Sequence, residues 1–305
     1  MKRNLSPKQL EELGINRPLD DNVKIYCPRD IAEFYPVRPR NSYKGTFGSA
    51  NIIAGSDSYA GAAALSVSAA LKSGCGYVKL TTAPEVKNAL VAHYPQTIFL
   101  RTPDLTSNAI AVGMGCGATE ELYETVKNLL ENYNGTLIID ADGLNALSKF
   151  GKDILKQKNC KVILTPHAKE FSRLTGLTVE QITASPIETA RDFAVEYKVA
   201  LLLKGAATVI CDGSQKEIKT ALNVRGSSAL ARAGSGDMLS GYLCGSSARG
   251  LNPFDACVCA TYTMGLAAEL ASKQKTDYCA TAEDILKKIH LAVKRLTTQN
   301  PSVRI

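Results

Sequence analysis

Ile110-Ala111-Val112 runs into Gly113-Met114-Gly115-Cys116-Gly117, a helix-length segment follows from Glu120 to Asn132, and Leu137-Ile138-Ile139 then runs into Asp140-Ala141-Asp142. Apolar runs this short and unbroken read as strands buried on both faces, and two of them joined by a helix make a parallel βαβ unit. The alternation extends outward in both directions. Upstream lie Asn51-Ile52-Ile53-Ala54, a helix from about Ala60 to Lys72, Tyr77-Val78-Lys79-Leu80 and a helix after Pro84. Downstream come Val162-Ile163-Leu164 and Ala200-Leu201-Leu202-Leu203, separated by helix-length segments. The predicted fold class is therefore α/β, a three-layer α/β/α sandwich around a mainly parallel sheet. The last third differs: Ala207 to Ile210 and Glu217 to Thr220 flank Asp212-Gly213-Ser214 as a hairpin, and helices start near Asp237, Pro253 and Thr281.

Residues 1–43 stand apart, because Pro7, Pro18, Pro28, Pro36 and Pro39 interrupt any long periodicity. They read as an N-terminal arm over a main domain of residues 44–305, with no linker or repeat inside that domain.

Composition narrows the function class. With 45% apolar and 21% charged residues in 305 positions the chain can build a full core. The uncharged run Ser58 to Leu71 is too short to span a bilayer, and Met1-Lys2-Arg3 leads into acidic rather than apolar sequence, so the expectation is a cytoplasmic protein without signal peptide or anchor. Nine scattered cysteines fit buried thiols in a reducing compartment, and Cys257 with Cys259 lacks a histidine partner for zinc. A net charge of +7 without a basic block or aromatic ladder does not indicate nucleic acid, but suits small anionic substrates. The basic stretch Leu286 to Ile305 reads as a solvated helix face.

The chemistry collects where the strands end. Gly55-Ser56-Asp57, Gly113 to Gly117, Asp140-Ala141-Asp142, Thr165-Pro166-His167 and Lys204-Gly205 each close an apolar run, and open α/β sheets bind ligands at that edge. The strongest local motif is Ala233-Gly234-Ser235-Gly236-Asp237-Met238-Leu239-Ser240-Gly241, two glycines ahead of a helical segment. Free N–H groups at such a helix start favour a phosphate anion. A carboxylate beside that phosphate is repulsive unless it takes a proton from an attacking hydroxyl, which makes Asp237 a candidate base; the alternative is a helix cap. His167 and Glu170 share one helical face and could meet a ligand, a metal-bound water or each other, or merely cap a helix over a solvated Glu170. Lys204, leaving a buried strand, needs an anion, either a phosphate or a carboxylate. The phosphate-loop, dinucleotide-fingerprint and nucleophile-elbow patterns are missing, and His93 and His290 lie in helix-like contexts as surface or packing residues.

These residues carry a resemblance. Asn223, Gly226 and Ala231 to Asp237 resemble the anion hole and base of the ribokinase-like superfamily. Lys44 to Gly48, Ala54-Gly55-Ser56, Gly61-Ala62-Ala63, Ser73 to Gly76, Asp140 to Asn145, Leu164 to His167 and Leu203-Lys204-Gly205 are similar, in order, to one branch, the NAD(P)H-hydrate dehydratases. The resemblance implies removal of water from the S epimer of hydrated NADH or NADPH (NADHX, NADPHX), driven by ADP or ATP. It implies Asp237 as base, Gly234, Ser235 and Gly236 as anion hole, and Lys204, Gly205, Ala206, Ala207, Thr208 and Gly236 along the ADP. Ala62, Gly115, His167 and Asp237 would meet the hydrated dinucleotide. Mg2+ would bridge phosphates, with no residue assigned as its ligand. It further implies a homo-oligomer, a tetramer by preference, for which the small-residue, thiol-rich helix Ala256 to Leu270 offers a contact face. Met114 departs from the family's usual proline after the first glycine. Residues 1–43 are too few for the epimerase domain of bifunctional relatives, so epimerisation is expected to be spontaneous or the work of a separately encoded epimerase. The rival readings are a ribokinase-like kinase of a small alcohol, such as a vitamin precursor, and a nucleotide sensor without turnover.

Overall fold

Alternate residues of the apolar runs part to opposite sides, as a period of two demands. Along Ala109–Met114, Ala111 joins one buried cluster while Ile110 and Val112 join another, and along Thr136–Ile139, Ile138 parts from Leu137 and Ile139 in the same way. The computed structural model describes residues 5–15 and 19–298 and places one sheet between these two cores.

Ten strands among the described residues form that sheet: β1 (Val23–Lys24), β2 (Ser49–Ala54), β3 (Tyr77–Thr81), β4 (Ile98–Leu100), β5 (Ala109–Met114), β6 (Thr136–Ile139), β7 (Lys161–Leu164), β8 (Ala200–Leu203), β9 (Thr208–Asp212) and β10 (Lys219–Asn223). Their order is β1-β10-β9-β8-β7-β6-β5-β2-β3-β4, and every pairing is parallel except those of β9. The sandwich predicted from the alternation is therefore present, with one antiparallel strand from the predicted hairpin. The hairpin turn is longer than Asp212-Gly213-Ser214, because Lys219 is the residue that pairs with Asp212.

One layer holds α2 (Pro28–Ala32), α3 (Ala60–Leu71), α4 (Pro84–Leu90), α10 (Ser235–Ala248), α11 (Pro253–Cys279) and α12 (Ala282–Thr297). The other holds α1 (Pro7–Glu12), α5 (Glu120–Asn132), α6 (Asp142–Phe150), α7 (Ala168–Thr175), α8 (Val179–Ala184) and α9 (Pro186–Tyr197). Helix α5 shows why these segments fold as they do: Thr119 caps its first turn by accepting from Leu122 N–H, acids open it, and Leu122, Val126, Leu129 and Leu130 form its buried stripe.

Residues of the predicted arm reach both layers. Leu10 and Ile15 join one core, Ile31 and Tyr35 the other, and β1 between them pairs with β10 at the sheet edge. The Tyr35 hydroxyl lies 2.8 Å from that of Tyr242 and 2.6 Å from Thr263 Oγ1. Pro18, Met1 to Arg3 and Arg304 lie outside the described residues; within α12, Lys287, Lys294 and Arg295 are exposed opposite buried Ile285, Ile289 and Leu296, as a solvated basic face requires.

Two sequence expectations need correction. The stretch Ala256 to Leu270 lies in α11, and every residue from Ala256 to Ala268 is already buried within the chain, Cys257 and Cys259 included. It is an inner-layer helix packed on the sheet, and small side chains serve that close approach rather than a contact face for a second copy. His93 sits in a turn, exposed, while His290 is exposed on α12. Among the described residues no helix is long and apolar enough to cross a membrane.

Candidate functional site

From β2 the chain moves to one side, through β3 to β4, and then returns to place β5 on the other side of β2. The strand order thus reverses between β2 and β5, and the crevice at the carboxyl ends of those strands is where such sheets take ligands. Gly55 N–H donates to Met114 O at 2.9 Å, tying the two strand ends together. Met114, at the family's proline position, is simply the last, fully buried residue of β5. Gly115 follows at φ +65, and a Cβ there would meet Tyr59 Cβ at 2.7 Å and Ala62 Cβ at 2.9 Å. Only glycine lets the turn lie against the start of α3, which brings together Ala62 and Gly115, both expected at the dinucleotide.

Helix α10 brings in the anion hole. Gly234 is its N-cap at φ +89, in the left-handed region, and has no side chain to cap with. The first i to i−4 bond is Met238 N–H to Gly234 O at 3.0 Å, so the Gly236 and Asp237 N–H groups precede it without an intrahelical acceptor. Ser235 Oγ is buried with no hydrogen-bond partner among the described residues. Two free amides, a positive helix end and an orphaned hydroxyl together specify an anion.

Asp237 is the third helical residue, not the cap. That geometry disposes of the capping alternative. Its carboxyl is pushed up to about 6 by burial first and by the Asp140 charge second, with Lys204 pulling the other way. A carboxyl poised there can hold or release a proton near neutral pH.

Lys204 leaves β8 and reaches the same point: its Nζ lies 3.4 Å from where a Gly236 Cβ would sit. Asp140, at the end of β6 and 1% exposed, accepts from Lys204 Nζ at 2.8 Å and from Ser240 Oγ of α10 at 2.6 Å. Burial opposes the Lys204 charge, but Asp140 and Glu170 outweigh it and hold the ammonium above its usual range. Lys204 therefore has its carboxylate and still faces the anion hole. The Asp140, Lys204 and Ser240 triple joins residues 64 and 100 positions apart, and nothing local in the sequence announced it.

His167 caps α7. Its Nδ1 accepts from Glu170 N–H at 3.1 Å, and Glu170 Oε2 accepts from His167 N–H at 2.8 Å. Glu170 is not solvated as the capping alternative supposed; its side chain is 7% exposed and lies 3.8 Å from Lys204 Nζ. Half of the imidazole remains exposed. In the loop after Lys204, Gly205 and Ala206 are exposed and Thr208 begins β9, whereas Ala207 points into the core and can offer only its backbone to a ligand. Of the motif ahead of the anion hole, Asn223 holds its own loop through Arg225, and Gly226 N–H donates to Glu269 Oε1 at 3.0 Å.

No group of three His, Cys, Asp or Glu side chains among the described residues is arranged to hold a metal ion. Asp140 serves Lys204 and Ser240, Glu170 serves the α7 cap, and Asp142 accepts from Gly117 N–H at 2.7 Å. These carboxylates do not fit a protein-built magnesium cage.

A family profile described as NAD(P)H-hydrate dehydratase matches residues 50–291, which contain every site residue above. The ADP-dependent (S)-NAD(P)H-hydrate dehydratase of Bacillus subtilis is 31% identical over 275 residues, 87% of this chain and 95% of that protein. A crystal structure of the B. subtilis ADP/ATP-dependent NAD(P)H-hydrate dehydratase, co-crystallized with ATP/Mg2+, superposes with a TM-score of 0.82 at 30% identity, covering 91% of this chain and all of that one. The bifunctional NAD(P)H-hydrate repair enzyme Nnr of Thermofilum pendens is 31% identical over 93% of this chain, which spans 56% of that relative's length. Matched span, sequence identity and superposition agree: the chain belongs to the NAD(P)H-hydrate dehydratase family.

Proposed function

We propose that this protein is an ADP-dependent (S)-NAD(P)H-hydrate dehydratase, a hydro-lyase that returns hydrated NADH and NADPH to the reduced cofactors with release of AMP and phosphate. The observation that carries the reading is the Asp237 carboxyl beside two free helix amides and the buried, unpartnered Ser235 hydroxyl. Asp237 accepts the proton of the ring hydroxyl, and the oxygen attacks the terminal phosphorus of ADP, breaking its anhydride P–O bond and releasing AMP. The helix N-terminus and Lys204 hold the transferred group. The ring nitrogen lone pair then expels phosphate, the C–O bond breaks, and loss of a proton from the adjacent carbon restores the double bond. The water once added to the ring leaves as part of the phosphate. Gly234 to Gly236 receive the transferred phosphate, Lys204 to Thr208 flank the nucleotide, and Ala62, Gly115 and His167 border the dinucleotide. Mg2+ would enter with the nucleotide phosphates, with no side chain assigned to it and no step resting on it.

The reading includes a cytoplasmic setting, a homo-oligomer with a tetramer favoured, and a separate epimerase that converts the R epimer in the same repair. Recovery of the reduced-nicotinamide absorbance from hydrated NADH, with ADP and ATP offered separately, tests it. Recovery with ADP, faster than with ATP, is the expected result. Preference for ATP would leave the ATP-dependent form of the same enzyme. A stable phosphate ester in place of NADH would make the protein a kinase of a small alcohol, and nucleotide binding with no turnover would make it a sensor.

A further inference from the structure

Helix α3 lies along α10 at the site. Ser66 Oγ donates to Asp237 O at 3.1 Å, and a Cβ at Gly234 would collide with Leu65 Cδ1. Ser66, Ala62 and Tyr59 follow one another up the same face of α3, with Tyr59 seven residues before Ser66 and three before Ala62, so Tyr59 stands roughly 10 Å from Ser66 along the axis. It caps α3 with backbone geometry alone and makes no side-chain capping bond. Its Cβ is rooted at the Gly115 turn, beside Ala62, while 61% of the residue is exposed. The strand-end turns that make up the crest carry no other tyrosine, phenylalanine or tryptophan, and Tyr59 brings a phenol ring to the seam between β2 and β5.

We propose that Tyr59 is a positioning residue of this site, its ring the platform on which the pyridine-derived ring of the dinucleotide lies while Asp237 faces the ring hydroxyl. The proposal rests on the function argued above. A large apolar face with a polar tip, 61% exposed, matches a neutral heterocycle whose enamide edge stays planar. Asp237 would fix one edge of that heterocycle, and the Gly115 turn, closed to any side chain, leaves only backbone beside Tyr59. Stacking against Tyr59 would then set the tilt of the ring.

The test compares Tyr59→Ala and Tyr59→Phe with wild type, reading the KM for hydrated NADH, the KM for ADP, kcat, and NADH affinity by fluorescence titration. Tyr59→Ala should raise the KM for the hydrate and the Kd for NADH roughly 3- to 10-fold, the scale of a lost aromatic stack. The KM for ADP should stay within about twofold, kcat should fall with the lost orientation of the ring, and Tyr59→Phe should restore every value. An unchanged hydrate KM, an ADP KM that moves in step, or a Phe variant as poor as Ala overturns the proposal. With the hydrate of reduced nicotinamide mononucleotide the same rise supports the ring contact; loss of the effect places Tyr59 against the adenosine half and overturns it. If wild type fails to turn over the hydrate, the proposed function falls in that arm, and the NADH titrations of wild type and variants still decide the role of Tyr59.

Discussion

Asp237 carries a charge that its surroundings resist, and that has consequences for rate and for stability. A base with its carboxyl raised to about 6 must lose its proton to act, so kcat/KM should climb with pH through about 6 and level off above. Asp237→Asn removes the proton acceptor at constant size and should lower turnover by on the order of 10²–10⁴-fold. Retention of more than about a tenth of wild-type kcat would sink the assignment. Stability moves the opposite way. Because the folded carboxyl is raised from 3.8 to about 6, the native state keeps a proton that the unfolded chain has released, and native stability falls as pH rises across that window. The Asn variant escapes this loss. Its Tm should exceed that of wild type at pH 7 and converge with it near the acid end of the window, which differential scanning calorimetry at several pH values would check. Asp237 was legible as a residue of interest because two glycines precede it. Its place as third rather than cap residue was not, since one glycine more or less before a helix start looks the same in sequence.

At the scale of elements, the reciprocal cap of α7 separates two roles of His167. His167→Ala should cost about 1 kcal/mol of stability, the usual worth of a lost N-cap, whereas His167→Asn keeps a capping side chain and should hold its Tm near wild type. A raised KM for the hydrate in the Asn variant would mark the exposed imidazole as a substrate contact; an unchanged KM would reduce His167 to a cap. Strands β5 to β8 could be read directly, because burial on both faces writes them as unbroken apolar runs. Two others could not. β1 is two residues long, and β4 is a three-residue edge strand with Ile98 41% exposed, so neither has the length or burial that makes a pattern. Helix α11 misled for a different reason: small, apolar residues all round suit a buried layer and a subunit contact equally, and only the surrounding fold tells them apart.

Over the whole molecule, Leu10 and Ile15 grip the sandwich from one side, Ile31 and Tyr35 from the other, and β1 lies along one edge. The gain is concentrated at Tyr35, whose hydroxyl joins α10 and α11 through Tyr242 and Thr263. Tyr35→Phe takes one partner from each of the buried Tyr242 and Thr263 hydroxyls, which keep each other, and should cost about 0.5–1.5 kcal/mol. Urea unfolding would show it as a lower midpoint with an unchanged slope, since the surface exposed on unfolding is the same.

The pairing of Val23 with Thr220 also sets an order in time. As the chain is made, β1 emerges long before its only partner strand, and at ~5–20 residues per second the roughly 200 intervening residues occupy about 10–40 s. Through that interval Ile31 and Tyr35 have no α11 to pack against. A segment made well ahead of its partner thus docks late, and until the β9–β10 hairpin closes, a nascent chain carries this clasp undone.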